Sequence, residues 1–333
     1  MNIQELIDNK MEQQIEQPRP HIGCSTLGHP CDRYLWLAFH WAVTPAFPGR
    51  MLRLFKRGQD EEVSVVKYLT MIGARVQNQQ KTVDFGNHVS GSIDGIVTGL
   101  PGHELHQVLL EIKTHNKKSF NELEKKGVEL AKPLHYIQMQ CYMRGLKLTK
   151  ALYFAVCKDD DRIHAEIITY VPDVASHAID RGHRIASSAR MPEPIAATAD
   201  YYICRMCDMR EFCHETMTTK NVNCRTCMHS APTVNSTWSC ALHDNETIPY
   251  NWQTQGCSSH VLHPDLVPYV HSRNADAITA TLTINGSPVV NGDSGPNVYT
   301  SKEILADPML CASADPFVEQ LRSKLDAKII APS

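Results

Sequence analysis

The chain has 333 residues, 42% of them hydrophobic and 21% charged, with a formal charge of −3. That length is room for about two domains. The composition excludes a disordered or low-complexity chain, and the charge excludes a uniformly basic nucleic-acid coat.

Residues 1–20 are polar and end in Pro-Arg-Pro, which predicts a frayed tail or a short helix. They lack the apolar centre of a secretory leader, and no apolar run approaches the roughly 20 residues of a membrane helix, so a cytoplasmic setting is expected. Residues 31–42 are aromatic-rich and predict a docked helix. Residues 49–73 carry Val63, Val66 and Leu69 at helical spacing and end near Gly73. Residues 75–85 and 88–97 alternate as strands, with Gly86 and Asn87 as turn residues between them. Residues 108–114 predict a short apolar strand, and 116–130 and 133–146 predict helices. Residues 151–157 and 162–171 predict a strand pair joined by the acidic turn 158–161, and a helix is expected over 173–189. From about residue 200 the composition shifts to Cys, Asn, Thr and His. The last 70 residues or so predict a small β-rich appendage with a helix near 315–327. No GxxxxGK[ST] phosphate loop is present, which excludes a Walker-type ATPase in this chain.

One constellation carries chemistry. Asp94 lies in Gly-Ser-Ile-Asp-Gly, and Glu111 and Lys113 lie in Leu-Leu-Glu-Ile-Lys-Thr. On a strand, residues i and i+2 share a face, so Glu111 and Lys113 project together, and a neighbouring strand can bring Asp94 beside them. Two carboxylates and a lysine on one rim suit a hard divalent cation and an oriented water. Asp60, Glu61 and Glu62 lie on the helix upstream. Gln138 and Tyr142, four apart, share a helix face and are candidates to line a groove near a phosphate. Residues 113–150 hold nine basic and three acidic residues, a local net of 9 − 3 = +6 that suits a polyanion. Plain structural readings stand beside these: Asp94-Gly95 as a turn pair, the upstream acids and lysines as solvated helix faces, and Tyr142 as a core residue.

The 12 cysteines form the second signal. Without a leader, disulfides explain them poorly, and clustered thiols point to metal. Cys204, Cys207 and Cys213 lie within ten residues, with Cys24 and Cys31 far upstream. Cys224-x2-Cys227-x12-Cys240-x16-Cys257 has the form of a structural zinc site, and His229, His243 or His260 are alternatives for one thiolate. A small segment built around Trp238 and Trp252 lacks a large core, so bound metal is expected to stabilise it. Cys24, Cys141, Cys157 and Cys311 are assigned to packing.

Glu62, Asp94 in GSIDG, Glu111-Ile112-Lys113 and Gln138-x3-Tyr142 together resemble the PD-(D/E)XK nuclease superfamily, in its RecB-like exonuclease branch. Cys204-x2-Cys207-x5-Cys213 with Cys31 upstream resembles the iron–sulfur members, the AddB-type and CRISPR-associated RecB-like exonucleases. The stretch around Cys31 is also similar to exonuclease-like proteins of tailed phages. The resemblance covers about residues 23–215. It implies an α/β fold, a restriction-endonuclease-like mixed sheet flanked by helices. It implies a metal-dependent DNA nuclease, an exonuclease acting on DNA ends in phage recombination, replication or degradation, in the host cytoplasm if phage-encoded. It further implies that Asp94, Glu111 and Glu62 hold Mg²⁺ or Mn²⁺, that Lys113 orients water, that Gln138 and Tyr142 position the strand, and that Cys31, Cys204, Cys207 and Cys213 hold a [4Fe–4S] cluster. Zn²⁺ is the alternative there, since four thiolates suit it equally. Where many relatives have Gly-His before the helix glutamate, this chain has Gly58-Gln59, which shifts weight to Glu62, with Glu61 as the fallback. The missing ATPase makes a separate helicase or recombinase an expected partner.

The expected organisation is a tail over 1–22, a nuclease domain over 23–215, a zinc-binding module over 216–265 and an appendage over 266–333. The rival expectation is a non-catalytic nucleic-acid-binding protein whose acidic residues are structural.

Overall fold

A computed structural model describes residues 2–14, 17–293, 295 and 297–331. The chain forms two units, Met1–Pro30 with Ala46–Ala186, and Cys31–Pro45 with Ser187–Ser333.

The first unit opens with α1 (Ile3–Glu12), β1 (Ile22–Gly23) and α2 (Cys24–Leu27). Helix α3 (Asp32–Phe39) belongs to the second unit. The first unit resumes with α4 (Gly49–Met71), β2 (Arg75–Gln77), β3 (Thr82–Asp84), β4 (Val89–Ser92), β5 (Gly95–Thr98) and β6 (Val108–His115). It ends with α5 (Lys117–Ala131), α6 (Pro133–Leu146), β7 (Lys150–Cys157), β8 (Ile163–Thr169) and α7 (Pro172–Ala186).

Its centre is a mixed five-stranded sheet in the order β2-β5-β6-β7-β8. β6 and β7 are parallel, from Leu109↔Ala151 to His115↔Cys157. A parallel pair needs a long crossover, and α5 and α6 supply it. The other pairings in this sheet are antiparallel. Strand β6 is buried from Val108 to Ile112, as a covered central strand must be, but only one of its faces is apolar over most of its length. Val108, Leu110 and Ile112 pack with Val65 and Leu69 of α4 and with Leu152, Phe154 and Val156 of β7. By alternation the opposite face carries Leu109, Glu111, Lys113 and His115.

Two segments that read as single strands are each broken. The alternating stretch 75–85 becomes β2 and β3, and 88–97 becomes β4 and β5, each pair divided between two sheets. Asn78 and Gln80 take positive φ at the first break. At the second, Asp94 stands between β4, in the small β1-β4-β3 sheet, and β5, in the main sheet. Helix α5 is also kinked. Gly127 has φ +74, open to glycine at little cost, and the Glu166 carboxylate accepts the N–H of Val128 just beyond it, at 3.0 Å.

The second unit joins α3 to the chain from Ser187 onward, which carries no helix or strand as far as Ile203. It continues with an antiparallel sheet of β9 (Ser230–Pro232), β10 (Trp238–Cys240) and β11 (Glu246–Thr247), and with helix α8 (Tyr250–Gln253). A four-stranded sheet follows, of β12 (Val270–Arg273), β13 (Ala280–Ile284), β14 (Ser287–Asn291) and β15 (Val298–Tyr299). Asn285 and Gly286 link β13 to β14, both at positive φ, as a two-residue hairpin turn demands. Helices α9 (Ser301–Ala306), α10 (Pro308–Ala312) and α11 (Pro316–Leu325) close the chain. Leu262, Val267, Leu282, Ile284, Val289, Tyr299, Ile304 and Cys311 form this unit's apolar cluster. Helix α11 stands where a terminal helix is expected; α9 and α10 have no counterpart in the sequence pattern. No helix among the described residues is long and apolar enough to cross a membrane.

Candidate active site

Strand β6 presents Glu111 and Lys113 on one face. Glu111 is 0% exposed, and the Lys113 ammonium pairs with its Oε1, while 28% of the Lys113 side chain meets solvent. Apart from the Lys113 ammonium, neither carboxylate oxygen of Glu111 has a hydrogen-bond partner among the described residues. Burying a carboxylate so poorly satisfied is costly. Burial accordingly pushes Glu111 up to about 7, against the pull of Lys113 and with the help of Asp94 and Glu62.

Asp94 is anchored by the backbone of the same strand. Its Oδ2 accepts the N–H of Ile112 at 2.7 Å. Burial raises its pKa, and Lys113 and that N–H oppose the rise. Glu62, on α4, is raised by burial and then by Asp94, and its Oε2 accepts from Gln80 Nε2 at 3.2 Å. Burial works to lower Lys113, but Glu111, Asp94 and Glu62 outweigh it and hold the ammonium firmly charged. Three carboxylates around a single lysine, with Asp94 raising Glu62 and both raising Glu111, constitute an incomplete charge balance.

That imbalance is the test of fit for a divalent cation. The donors are all oxygen, as Mg²⁺ or Mn²⁺ prefers, and one of them is buried and unsatisfied. As the side chains stand, no three His, Cys, Asp or Glu residues among those described close into a metal-binding group. The chemistry of the donor set fits the ion; its closure round an ion is not present in this conformation.

Gln138 and Tyr142 on α6 are both buried. The Tyr142 hydroxyl sits against β4, so close that a Cβ on Gly91 would lie 2.5 Å from it. Burial raises the Tyr142 pKa, with Cys24 and Glu111 adding to the rise and a hydrogen bond with Gln138 opposing it. Gln138 Oε1 has no hydrogen-bond partner. The pair is therefore inside the protein, with Tyr142 within the field of Glu111. Part of the +6 charge excess of residues 113–150 is offset from outside the segment, where Lys117 pairs with Asp160 at 3.6 Å.

Sequence reasoning missed a group beside this site. His115 Nε2 and His135 Nδ1 both lie 2.8 Å from the Tyr153 hydroxyl. Burial, with Lys132 and Lys113 adding to it, pushes His115 down to about 4; burial and Lys113 push His135 down to about 3. Both imidazoles are neutral near pH 7, so the one hydroxyl donates to one ring and accepts from the other. The only local signal was His115 at i+2 from Lys113. Its partners come from α6 and β7.

In the second unit Cys31 caps α3, and Cys204, Cys207 and Cys213 lie on short turns of the later chain. Burial and then Cys31 raise Cys204. Burial raises Cys207, with Cys31, Asp208 and Cys204 adding to it. Burial raises Cys213 to about 11, where Arg33 opposes the rise and Cys207 and Cys31 reinforce it. Cys224 is pushed up to about 11 by burial and by Cys257 and Cys240, and Cys227 to about 12 by burial, with Cys257 and Cys224 contributing. Each set of four thiols thus shares one electrostatic neighbourhood of the kind a bound cation relieves, though neither set closes into a metal-binding group as it stands. His260 is engaged at both ring nitrogens, by Thr226 Oγ1 at 3.2 Å and Ser301 Oγ at 2.8 Å, and His229 Nε2 lies 2.9 Å from the Ile278 carbonyl. Between Cys224 and Cys227, Arg225 is buried against the rings of Trp41 at 3.7 Å, Trp238 at 4.8 Å and Phe39 at 5.1 Å. Cys24, Cys141, Cys157 and Cys311 are buried.

No family model matches the chain, and no curated protein matches it. Among solved structures it is similar to SSO0001, at 15% identity and a TM-score of 0.42, covering 64% of this chain and 96% of that one. It is similar to LHK-Exo in complex with dAMP, at 17% identity and a TM-score of 0.38, covering 54% and 90%; LHK-Exo is described as an alkaline exonuclease from Laribacter hongkongensis. It is also similar to a phage related exonuclease from Haemophilus somnus 129PT, at 16% identity and a TM-score of 0.37, covering 53% and 94%.

Proposed function

We propose that the chain is a divalent-metal-dependent deoxyribonuclease of the PD-(D/E)XK type, acting as an exonuclease on DNA ends. The observation that carries this reading is Glu111, a fully buried carboxylate with no hydrogen-bond partner besides the Lys113 ammonium, within the fields of Asp94 and Glu62. A merely structural glutamate would be satisfied by donors.

In this reading Asp94, Glu111 and Glu62 hold Mg²⁺ or Mn²⁺. Such an ion supplies Lewis acidity toward a phosphodiester and lowers the pKa of water. Lys113, kept charged by the carboxylates, faces the scissile phosphate, orients the attacking water and stabilises charge that builds on the phosphoryl oxygens. The hydrogen bond from Ile112 fixes Asp94. Gln138 and Tyr142 position the DNA strand. Water adds to phosphorus, the 3′-oxygen leaves as a hydroxyl, and the phosphate stays on the 5′ side. Cys31, Cys204, Cys207 and Cys213 are proposed to hold a [4Fe–4S] cluster, and Cys224, Cys227, Cys240 and Cys257 a zinc ion. Both are structural staples. A phage setting and a separate helicase or recombinase remain part of the proposal.

Anaerobically prepared protein incubated with end-labelled linear DNA and Mg²⁺ or Mn²⁺ tests it. The wild type degrades the DNA; Lys113→Ala and Asp94→Ala do not. Equal degradation by all three would assign the activity elsewhere. DNA binding without cleavage by metal-loaded wild type would support the non-catalytic reading.

A further inference from the structure

Helix α4 does more than deliver Glu62. Of its 23 residues only Gly49, Val65 and Leu69 are buried. Its N-terminal half carries Arg50, Arg53, Lys56 and Arg57, with no acidic residue from Ala46 to Gln59. Large apolar side chains stand exposed among these charges. Phe55 is 48% exposed and Met51 36%, and the Phe47 ring meets Phe55 edge-on at 5.2 Å. An exposed phenylalanine gains nothing from water, and isolated exposed residues need no explanation. Here, however, the two exposed residues fall on a pattern. Exposed Met51 and Phe55 and half-buried Gly58 and Glu62 are spaced by four, three and four, which places them on one stripe of the helix that continues into buried Val65 and Leu69. At about 1.5 Å per residue, Phe55 precedes Glu62 by about 10 Å along the axis. That is roughly three stacked nucleotides at about 3.4 Å each. A Cβ on Gly58 would lie 3.7 Å from Thr114 Oγ1, on the β6 face opposite Glu111 and Lys113, and Glu62 at the end of the stripe lies within the fields of Asp94 and Lys113.

We infer that this stripe of α4, centred on Phe55 and flanked by Arg50 and Arg57, is a binding platform for single-stranded DNA leading to the carboxylate site. This rests on the nuclease reading and names its substrate as an unpaired strand. The charges of Arg50 and Arg57 beside Phe55 select a polyanion; an apolar protein partner would have no use for them. The other two cations are already engaged within the protein, Arg53 with Asp8 and Lys56 with Asp60. Arg57 donates to the Lys158 carbonyl at 3.1 Å, which leaves its charge uncompensated by a carboxylate there. Arg50 is exposed. Aromatic faces interleaved with cations hold single strands by stacking on bases and neutralising phosphates. Paired bases in a duplex have no free face to offer Phe55.

The test is fluorescence anisotropy of a labelled oligodeoxythymidine and a duplex of equal length, in chelator so that neither is cut. A parallel cleavage assay on the same preparations uses Mg²⁺. Phe55→Ala is expected to weaken binding of the single strand about tenfold, to leave duplex binding unchanged, and to be rescued by Phe55→Trp. Arg50→Ala and Arg57→Ala are each expected to flatten the salt dependence of log affinity by about 0.7. Wild-type binding of the single strand by Phe55→Ala in a preparation that cleaves DNA would overturn the platform and leave the nuclease standing. Equal losses on single strand and duplex would overturn it too, because stacking would not be the cause. Wild type that neither binds nor cleaves DNA would overturn both readings. Capture of an apolar peptide by the wild type, lost in Phe55→Ala with DNA binding intact, would reassign the face to a protein partner.

Discussion

Asp94 Oδ2 accepts the backbone N–H of Ile112 at 2.7 Å, so the carboxylate at the mouth of β5 is fastened to the residue between Glu111 and Lys113. One hydrogen bond ties Asp94 to the strand that bears Glu111 and Lys113.

This fastening separates stability from activity. Asp94→Ala removes both the charge and the acceptor, and leaves a part-buried N–H unsatisfied at a cost of about 1–3 kcal/mol. Asp94→Asn keeps an acceptor for Ile112 and loses only the charge. Urea denaturation is expected to show Asp94→Ala clearly destabilised and Asp94→Asn near wild type, with DNA degradation lost in both. Active Asp94→Asn protein would mean that Asp94 has an anchoring role alone.

Glu111 gives a pH signature. Its carboxyl titrates near 4.5 in the unfolded chain and is pushed up to about 7 when folded. Between those values the folded state binds more protons, so this group's contribution is present below about pH 4.5 and is lost as pH rises through 7. Thermal melts in chelator are expected to show Glu111→Gln gaining stability relative to wild type as pH rises from 5 to 8. Adding Mg²⁺ at pH 8 is expected to raise the wild-type melting temperature, by mass action on the folded state, and to leave Glu111→Gln unmoved. A pH-independent difference between the two proteins would contradict the buried, unsatisfied carboxylate.

The sequence exposed the elements of this site unevenly. The Glu111/Lys113 pair is legible because a two-residue period on a strand is a local rule. The break at Asp94 is not. Residues 88–97 alternate without interruption, and what divides them is which neighbour each half pairs with: Val89–Ser92 pairs with β1 and β3, and Gly95–Thr98 with β2 and β6. Strand partners are tertiary facts that local propensity does not encode. The same holds for the two histidines on Tyr153, which converge from three elements. Helix α4 shows the reverse case: Val65 and Leu69 mark its buried side in the sequence, but its exposed Phe55 reads as one more apolar position until burial is known.

The Tyr153 hydroxyl makes a second pH prediction, of opposite sign. His115 and His135 titrate near 6.5 when unfolded and at about 4 and 3 when folded. From pH 6.5 downward the unfolded chain binds more protons, so stability falls on acidification through 4. Tyr153→Phe leaves a buried imidazole nitrogen without its partner and is expected to cost about 1–3 kcal/mol at pH 7.5. Denaturation midpoints measured at pH 5 and pH 7.5 check both effects. A wild-type stability flat across that range would argue that these rings are charged or solvated in the folded protein.

The two cysteine sets lie on different turns of the second unit, and each draws its shared field from its own members: Cys31 acts on Cys204, Cys207 and Cys213, and Cys257 acts on Cys224 and Cys227. Their metals are therefore expected to be lost independently. Cys31→Ser, purified anaerobically, should lose iron and labile sulfide and keep zinc. Cys227→Ser should do the reverse, and should unfold the sheet of β9, β10 and β11 first, because Cys227 and Cys240 flank it and its small apolar core offers little else. Cys311→Ala, from the apolar cluster, should change neither metal content. Elemental analysis with limited proteolysis reads all three. Zinc in both sites without sulfide would replace the iron–sulfur assignment with a second zinc staple. Loss of both metals from either single variant would show that the two sets fold as one, since metal bound only by the folded state contributes directly to folding free energy.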